Sequence, residues 1–136
     1  MIVKAVEFKK LDKDGVFEFL SGHPKTQVFS LKCFKGKNHL IHSVNQTLKA
    51  FSSKTNISSK EEIEFLLRLT ANRQINKALK QAEPSKRSVF VSWSNNAEKV
   101  FEEFKKTFKF KVIPLPSVPF EEELKAIEDS AVFWLS

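Results

Sequence analysis

The residues best suited to chemistry lie in one short polar segment, TANRQ, at positions 70–74. Its Arg73 is one of only three arginines in the chain. A guanidinium holds a phosphate through a planar fork of N–H donors, while Asn72 and Gln74 can hydrogen-bond to base edges. Free N–H groups at the start of the following helix would add an anion site. The segment therefore predicts a contact with single-stranded RNA, although Arg73 could instead cap a helix or pair with a glutamate such as Glu62.

Three further residues could join this site. Lys54, Ser59 and Lys60 border the start of the helix that precedes the segment. Cations on phosphates and polar groups on base edges are the means by which proteins hold a single strand. We expect these residues to converge on the same groove as Arg73.

Groups that could support catalysis are few. His39 and His42 are one helical turn apart and could share a metal, but no third ligand follows at a recognisable spacing, so ordinary solvated or hydrogen-bonded histidines are the alternative. Cys33 could act as a nucleophile with either histidine in a small hydrolase, or it could be a buried structural thiol. The three glycines form no phosphate-binding loop. We predict a non-catalytic binding protein with no metal, no cofactor and no small-molecule substrate.

Composition bounds the remaining possibilities. The 136 residues carry a net charge of +7, which favours an anionic partner such as RNA, although a biased composition rich in lysine explains the charge equally well. Hydrophobic residues make up 41% of the chain, enough to form the core of one domain spanning residues 1–136. We find no secretory signal and no membrane-spanning run, so we expect a soluble cytoplasmic protein without a membrane partner.

Hydrophobic periodicity predicts the elements that position these residues. A reciprocal capping arrangement of Ser58 and Glu61 is expected to begin the central helix. Strands are predicted at residues 2–8, 27–34, 88–94 and 108–113, and helices at 16–20, 38–51, 61–69, 75–83, 97–104 and from 121 onwards. The helix at 61–69 is expected to be central and largely buried. The apolar side of the helix at 38–51 is predicted to consist of Leu40, Ile41, Val44, Leu48 and Phe51, and that of the helix at 97–104 of Ala97, Val100, Phe101 and Phe104. This order indicates an α+β fold, a single domain with a small, mostly antiparallel sheet and a cluster of central helices, with an α/β sandwich as the open alternative.

The last predicted helix has two features. Glu121, Glu122 and Glu123 place negative charge at its positive end. Its apolar residues exceed one stripe, because Val132 and Phe133 point away from the others and make the final turn apolar all round. This turn either folds back onto the sheet or forms an exposed docking surface. The stripe itself contains Phe120, Leu124, Ile127, Ala131, Trp134 and Leu135.

The order of elements resembles a known family. The helix "NHLIHSVNQTLKAF", a short basic linker, the segment "SSKEEIEFLLRLTANRQINKALKQ" and the strand "VFVSW" are similar to the smallest, tRNA-recruiting subunit of the KEOPS complex. The matching positions are Glu62-Ile63, Asn72-Arg73-Gln74-Ile75 and Ala78-Leu79. The closing "FKVIPLPSVPFEEELKAIEDSAVFWLS" extends the likeness over almost the whole chain. Relatives usually have Gly-Ile after the Ala-Leu helix, where this chain has Ala82-Glu83-Pro84-Ser85.

The resemblance implies a non-catalytic subunit that binds the CCA end of tRNA and docks on the kinase-like ATPase subunit of KEOPS. It would thereby support the synthesis of threonylcarbamoyladenosine, whose transfer step occurs in another subunit. A free-standing basic RNA-binding module that needs no protein partner is the alternative. With the resemblance, we favour the functional interpretation of both surfaces. tRNA binding is expected at Asn72, Arg73, Gln74, Lys54, Ser59 and Lys60, and partner binding at Leu124, Ile127, Val132, Phe133, Trp134 and Leu135.

Overall fold

The computed structural model describes the backbone of residues 1–135 and the side chains of residues 1–132. Its contacts divide the chain into two compact units. Unit 1 comprises Met1–Lys32 and Glu83–Leu115, and unit 2 comprises Cys33–Ala82 and the segment from Pro116 onwards. In chain order the elements are β1 (Ile2–Phe8), α1 (Lys13–Ser21), β2 (Thr26–Ser30), a 3-10 turn (Leu31–Cys33), α2 (Lys37–Ser52), α3 (Glu61–Thr70), α4 (Ile75–Gln81), β3 (Arg87–Ser92), α5 (Ala97–Thr107), β4 (Phe110–Ile113) and α6 (Phe120–Leu135).

Unit 1 is an antiparallel sheet packed against α1 and α5. The strand order is β2-β3-β1-β4, so β1 pairs with β3 on one side and β4 on the other. Alternate strand residues point to one face, where Phe104 of α5 lies 5.0 Å from the ring of Phe90 between centroids. The buried core of this face consists of Val6, Phe8, Val16, Leu20, Val28, Phe90, Val100, Phe101 and Phe104.

Unit 2 is built from α2, α3, α4 and α6. Helix α3 buries four apolar side chains, Phe65, Leu66, Leu67 and Leu69. It packs against α2, α4 and α6. The prediction of a central, largely buried helix at 61–69 is thus confirmed.

Helix α6 joins α2 through polar contacts. Gly36, the N-cap of α2, has no side chain to offer, and the Glu123 carboxylate instead accepts hydrogen bonds from the backbone N–H groups of Asn38 at 2.8 Å and His39 at 3.4 Å. Further along, the buried Ser130 hydroxyl donates to Gln46 Oε1 at 3.2 Å. Residues 123, 127 and 130 therefore define the packed face of α6.

The α+β class and the antiparallel sheet are confirmed, whereas the single domain stays a prediction. Two local expectations are wrong. The second strand ends at Ser30 instead of continuing to residue 34, because Leu31–Cys33 turn into a 3-10 helix. The predicted apolar side of α2 is only partly buried: Ile41 and Leu48 are 40% and 43% exposed.

Within residues 1–135, no helix combines the length and the apolar composition needed to cross a bilayer.

Candidate nucleic-acid interface

The predicted RNA-binding segment follows directly from the way α3 ends. The N–H of Asn72 donates to the Leu67 carbonyl at 3.0 Å and the N–H of Ala71 donates to the Arg68 carbonyl at 3.3 Å. These two bonds form a Schellman motif, which reverses the chain through one left-handed residue. That residue is Ala71, with φ 52° and ψ 41°. Glycine normally occupies this position, because a Cβ there destabilises the conformation by about 1–2 kcal/mol.

The reversal presents three polar side chains between α3 and α4. Asn72 is half-buried, and its Oδ1 accepts the N–H of Gln74 at 3.0 Å. Arg73 and Gln74 are exposed. Gln74 is the N-cap of α4 and makes no side-chain cap of its own. Since α4 has only seven residues and Asn72 already uses the Gln74 N–H, the helix start adds little to an anion site here, and the side chains must supply the contacts.

Helix α2 ends in the same motif. Thr55 N–H donates to the Ala50 carbonyl at 2.8 Å and Lys54 N–H to the Phe51 carbonyl at 3.3 Å. The left-handed residue is Lys54 itself, with φ 58°. Both helices that lead into the predicted site therefore end on a non-glycine residue in a glycine-preferring conformation, and a predicted RNA contact lies at that residue or directly after it. Strained backbone of this kind concentrates at functional sites.

The loop between α2 and α3 is held by Glu64. This side chain is fully buried, and its Oε1 accepts the N–H groups of Ile57 at 2.7 Å and Ser58 at 2.8 Å. Its Oε2 pairs with Arg68, at 3.1 Å from Nε and 3.0 Å from Nη2. One carboxylate thus fixes the backbone just before the predicted RNA contacts at positions 59 and 60.

The predicted capping box at the start of α3 is wrong. The N-cap is Lys60, which makes no side-chain cap, and Ser58 Oγ accepts the N–H of Lys60 at 3.2 Å instead. The Ser58 N–H, which the prediction paired with Glu61, donates to Glu64 Oε1 instead, and the Ile57 N–H donates to the same oxygen. The capping-box spacing of Ser58 and Glu61 thus located the start of α3 correctly, but the carboxylate that accepts the loop N–H groups is that of Glu64.

The predicted RNA contacts form two groups. Lys54, Ser59 and Lys60 are exposed and lie before α3, whereas Asn72, Arg73 and Gln74 lie after it. Ten residues of α helix separate the groups by about 15 Å at about 1.5 Å per residue. A stacked single strand advances about 3.4 Å per nucleotide, so roughly four or five nucleotides would span both ends. The expected convergence on one groove is thus replaced by two groups at opposite ends of one helix.

The predicted docking helix exposes apolar side chains. Phe120, Leu124 and Val132 are 73%, 41% and 66% exposed, and Ile127 is half-buried on the packed face. Leu124 and Val132 lie about 80° apart around the helix axis, so they belong to different sides of α6. The other predicted contacts, Phe133 and Trp134 as anchors and Leu135, lie outside the described side chains.

The residues considered for catalysis are Cys33, His39 and His42, and burial affects all three. The Cys33 thiol is buried and donates to the Gln81 carbonyl oxygen at 3.4 Å. Burial, assisted by neighbouring His42, lowers the pKa of His39 from 6.5 to about 4. Burial also lowers the pKa of His42. No group of three or more metal-ligating side chains comes together in the described part of the chain.

The chain was compared with models of known protein families and with curated proteins, and it matched none of them.

Sequence reasoning missed the residues that position the site. Glu64 and Arg68 carried a signal, since oppositely charged residues at i and i+4 pair on a helix, but nothing local showed that the pair is buried. Gly36 and Glu123 are 87 residues apart in the sequence and meet only in the folded unit, where the carboxylate lies against the glycine Cα. Only tertiary structure could reveal that contact.

Proposed function

We propose that this chain is a non-catalytic accessory subunit of a KEOPS-type complex in the cytoplasm. It binds the CCA end of tRNA and docks on the kinase-like ATPase subunit, and so supports formation of threonylcarbamoyladenosine. The observation that carries the proposal is the segment Asn72-Arg73-Gln74. It matches the family pattern in sequence, and it follows a strained left-handed turn that leaves Arg73 and Gln74 exposed.

The two polar groups at the ends of α3 would contact different parts of the tRNA. Arg73 would hold a phosphate of the terminal nucleotides, since a guanidinium has five N–H donors and keeps some for a ligand even when it has an intramolecular partner. Asn72 and Gln74 would contact base edges. A three-nucleotide tail is too short to span α3 when stacked, so Lys54, Ser59 and Lys60 would contact the nucleotides that precede the tail.

Docking on the ATPase is proposed for α6. Leu124 and Val132 are exposed apolar side chains on different sides of the helix, and an exposed aliphatic side chain of this kind can serve as an anchor in a pocket of a partner protein. The other proposed contacts are Ile127, Phe133, Trp134 and Leu135. The proposal assigns no reaction to this chain.

Tail recognition is tested with one tRNA prepared with and without its CCA end, at one salt concentration. Wild-type protein is expected to bind the complete tRNA roughly tenfold more tightly, and Arg73→Glu to abolish most of this difference. Lys99→Glu is the matched control, because it makes the same charge change at an exposed position of unit 1. Equal affinities for the two tRNAs would show that the tail is not read.

Docking is tested by size-exclusion chromatography of the chain mixed with the ATPase subunit. Leu124→Arg is expected to prevent co-elution and to leave tRNA binding intact, whereas Arg73→Glu should do the reverse. Val112→Arg, at a 53% exposed apolar position of unit 1, is the control. If wild-type protein binds tRNA but never co-elutes with the ATPase, the free-standing RNA-binding module becomes the better interpretation.

A further inference from the structure

Unit 1 contains a cavity of about 620 Å³ at one end of its sheet. Three phenylalanines line it: Phe8 at the end of β1 is buried, while Phe108, just before β4, and Phe110, at the start of β4, are half-buried. The ring of Phe8 lies 6.4 Å from that of Phe108 and 6.0 Å from that of Phe110, both edge to face. Interlocked rings of this kind hold one another in place, so part of the cavity wall is apolar and preformed.

Five exposed lysines surround this apolar wall. They come from four different places in the fold, which is why no local sequence pattern reveals the cluster. The backbone fixes three of them, since Phe8 N–H donates to the Lys86 carbonyl at 2.8 Å and Lys9 N–H donates to the Lys109 carbonyl at 3.0 Å. The lysines are Lys9, Lys86, Lys105, Lys109 and Lys111.

Negative charge near the cavity is already paired. The Glu7 carboxylate lies 2.9 Å from Arg87 Nε and 3.1 Å from Lys111 Nζ, and hydrogen bonds from these two cations lower its pKa. Outside the lining, Glu102 lies 3.3 Å from Lys105 in an exposed pair. Among the described residues that line the cavity, five lysines and one glutamate give a net charge of +4, within a chain whose total is +7.

Structural roles account for part of this cluster. Lysines on an edge strand discourage aggregation, which explains Lys109 and Lys111 beside β4. A lysine near a helix C-terminus is favoured by the helix dipole, which explains Lys105. Neither reason applies to Lys9 or Lys86, which follow β1 and precede β3. Since Lys105 and Lys111 pair with Glu102 and Glu7, the like charge left for an anion is that of Lys9, Lys86 and Lys109. Like charge concentrated in this way destabilises a fold unless an anion neutralises it.

We propose that this cavity is a second RNA-binding surface, which holds phosphates of the RNA backbone on its lysines and a sugar or base against Phe108 and Phe110. Lysines act as point charges without the fork geometry of arginine, so the surface binds RNA independently of sequence. An acidic peptide would satisfy the lysines but gain little from the aromatic wall. The inference rests on the proposed function only for the identity of the RNA, a tRNA, and concerns its body rather than its tail.

The test uses the full chain and tRNA that lacks its CCA end, titrated between about 50 and 200 mM salt. The double variant Lys9→Glu/Lys109→Glu is expected to bind roughly tenfold more weakly than wild type, with a salt slope smaller by about 1 to 2. The matched control is Lys4→Glu/Lys99→Glu, at exposed positions of unit 1 outside the cavity. Each double variant has a net charge of +3, since two reversals subtract 4 from +7.

The outcomes separate this inference from the proposed function. An equal loss of affinity in both double variants would show that total charge alone matters and would overturn the inference, as would no loss in either. Failure of tail recognition would instead appear as equal affinities of wild type for complete and tail-less tRNA, and it would leave the comparison of the two double variants on tail-less tRNA unchanged. A polyglutamate competitor that displaces tRNA from wild type at equal charge concentration would show that the surface is not selective for RNA, and would also overturn the inference.

Discussion

Replacing Glu64 by alanine should strongly destabilise unit 2. The side chain is fully buried and serves four donors, two backbone N–H groups of the loop and two guanidinium nitrogens of Arg68. The Arg68 side chain is itself only 9% exposed. Removing one partner of a buried ion pair costs about 3–5 kcal/mol, because the other charge stays buried without its counter-ion. We therefore expect the free energy of unfolding to fall by about 4 kcal/mol.

Glutamine at the same position separates the two roles of the carboxylate. Its amide oxygen can still accept the N–H groups of Ile57 and Ser58, so Glu64→Gln loses the carboxylate charge and the two hydrogen bonds that Oε2 accepts from Arg68. The expected loss is about 3 kcal/mol, smaller than for alanine because the loop hydrogen bonds remain. Adding Arg68→Met to Glu64→Gln should recover part of this loss, since a methionine needs no counter-ion. The coupling between the two changes is expected to be about 1–2 kcal/mol.

Urea denaturation followed by circular dichroism measures these differences, with slopes checked for equality among variants. Glu128→Ala is the control, an exposed glutamate of unit 2 whose removal should change stability by about 0.5 kcal/mol or less. The same proteins should differ in RNA binding: Glu64→Gln keeps the loop before Ser59 and Lys60 in place, and Glu64→Ala releases it. If Glu64→Ala resembles Glu128→Ala in stability, or binds tRNA as well as wild type does, then Glu64 does not hold the loop in its binding conformation.

Other changes give smaller and more local effects. Lys54→Gly and Ala71→Gly should each raise the free energy of unfolding by about 1 kcal/mol in urea denaturation, because glycine relieves the left-handed backbone. Lys54→Gly should also weaken tRNA binding, whereas Ala71→Gly should leave it unchanged. His39 is neutral in the folded state and protonated in the unfolded state between about pH 4 and 6.5, so about 3 kcal/mol of stability present above pH 6.5 should be lost as the pH falls towards 4. Unfolding measured against pH should show a smaller loss for His39→Phe, and parallel curves would disprove the assignment. Gly36→Ala should destabilise the protein by about 3 kcal/mol, because φ is 105° and a Cβ meets the Glu123 carboxylate, while Glu123→Ala alone should cost about 1 kcal/mol in the same thermal or urea assay.

Elements whose burial follows hydropathy were predictable. In α5 the sequence placed Ala97, Val100, Phe101 and Phe104 on one side, and all four are buried. Their 3.6-residue period requires no knowledge of the partner surface, because any sheet face will cover such a stripe. The position of the joint between α3 and α4 was also predictable from hydropathy, because its polar residues interrupt two apolar helical patterns.

The buried face of α2 was not predictable from hydropathy. Ser43 and Thr47 are fully buried, and their hydroxyls donate to the carbonyls four residues earlier, at 3.0 and 2.8 Å. A hydroxyl satisfied by its own helix can be buried at little cost, so it competes with Ile41 and Leu48 for the interior. Hydropathy scales treat a buried hydroxyl as unfavourable, so they place the predicted buried face of α2 on the wrong side of the helix. The role of Glu64 in holding the loop was not predictable, because only the tertiary structure shows which groups hydrogen-bond to its carboxylate.

The order of strands in the sheet has a consequence for synthesis of the chain. Because β3 lies between β2 and β1, the two strands made first have no partner until Arg87–Ser92 leaves the ribosome. Translation at about 5–20 residues per second leaves the early strands unpaired for several seconds, whereas the helices of residues 37–81 can form as they emerge. The nascent protein therefore has its longest period of exposure to chaperones while its first two strands wait for the third.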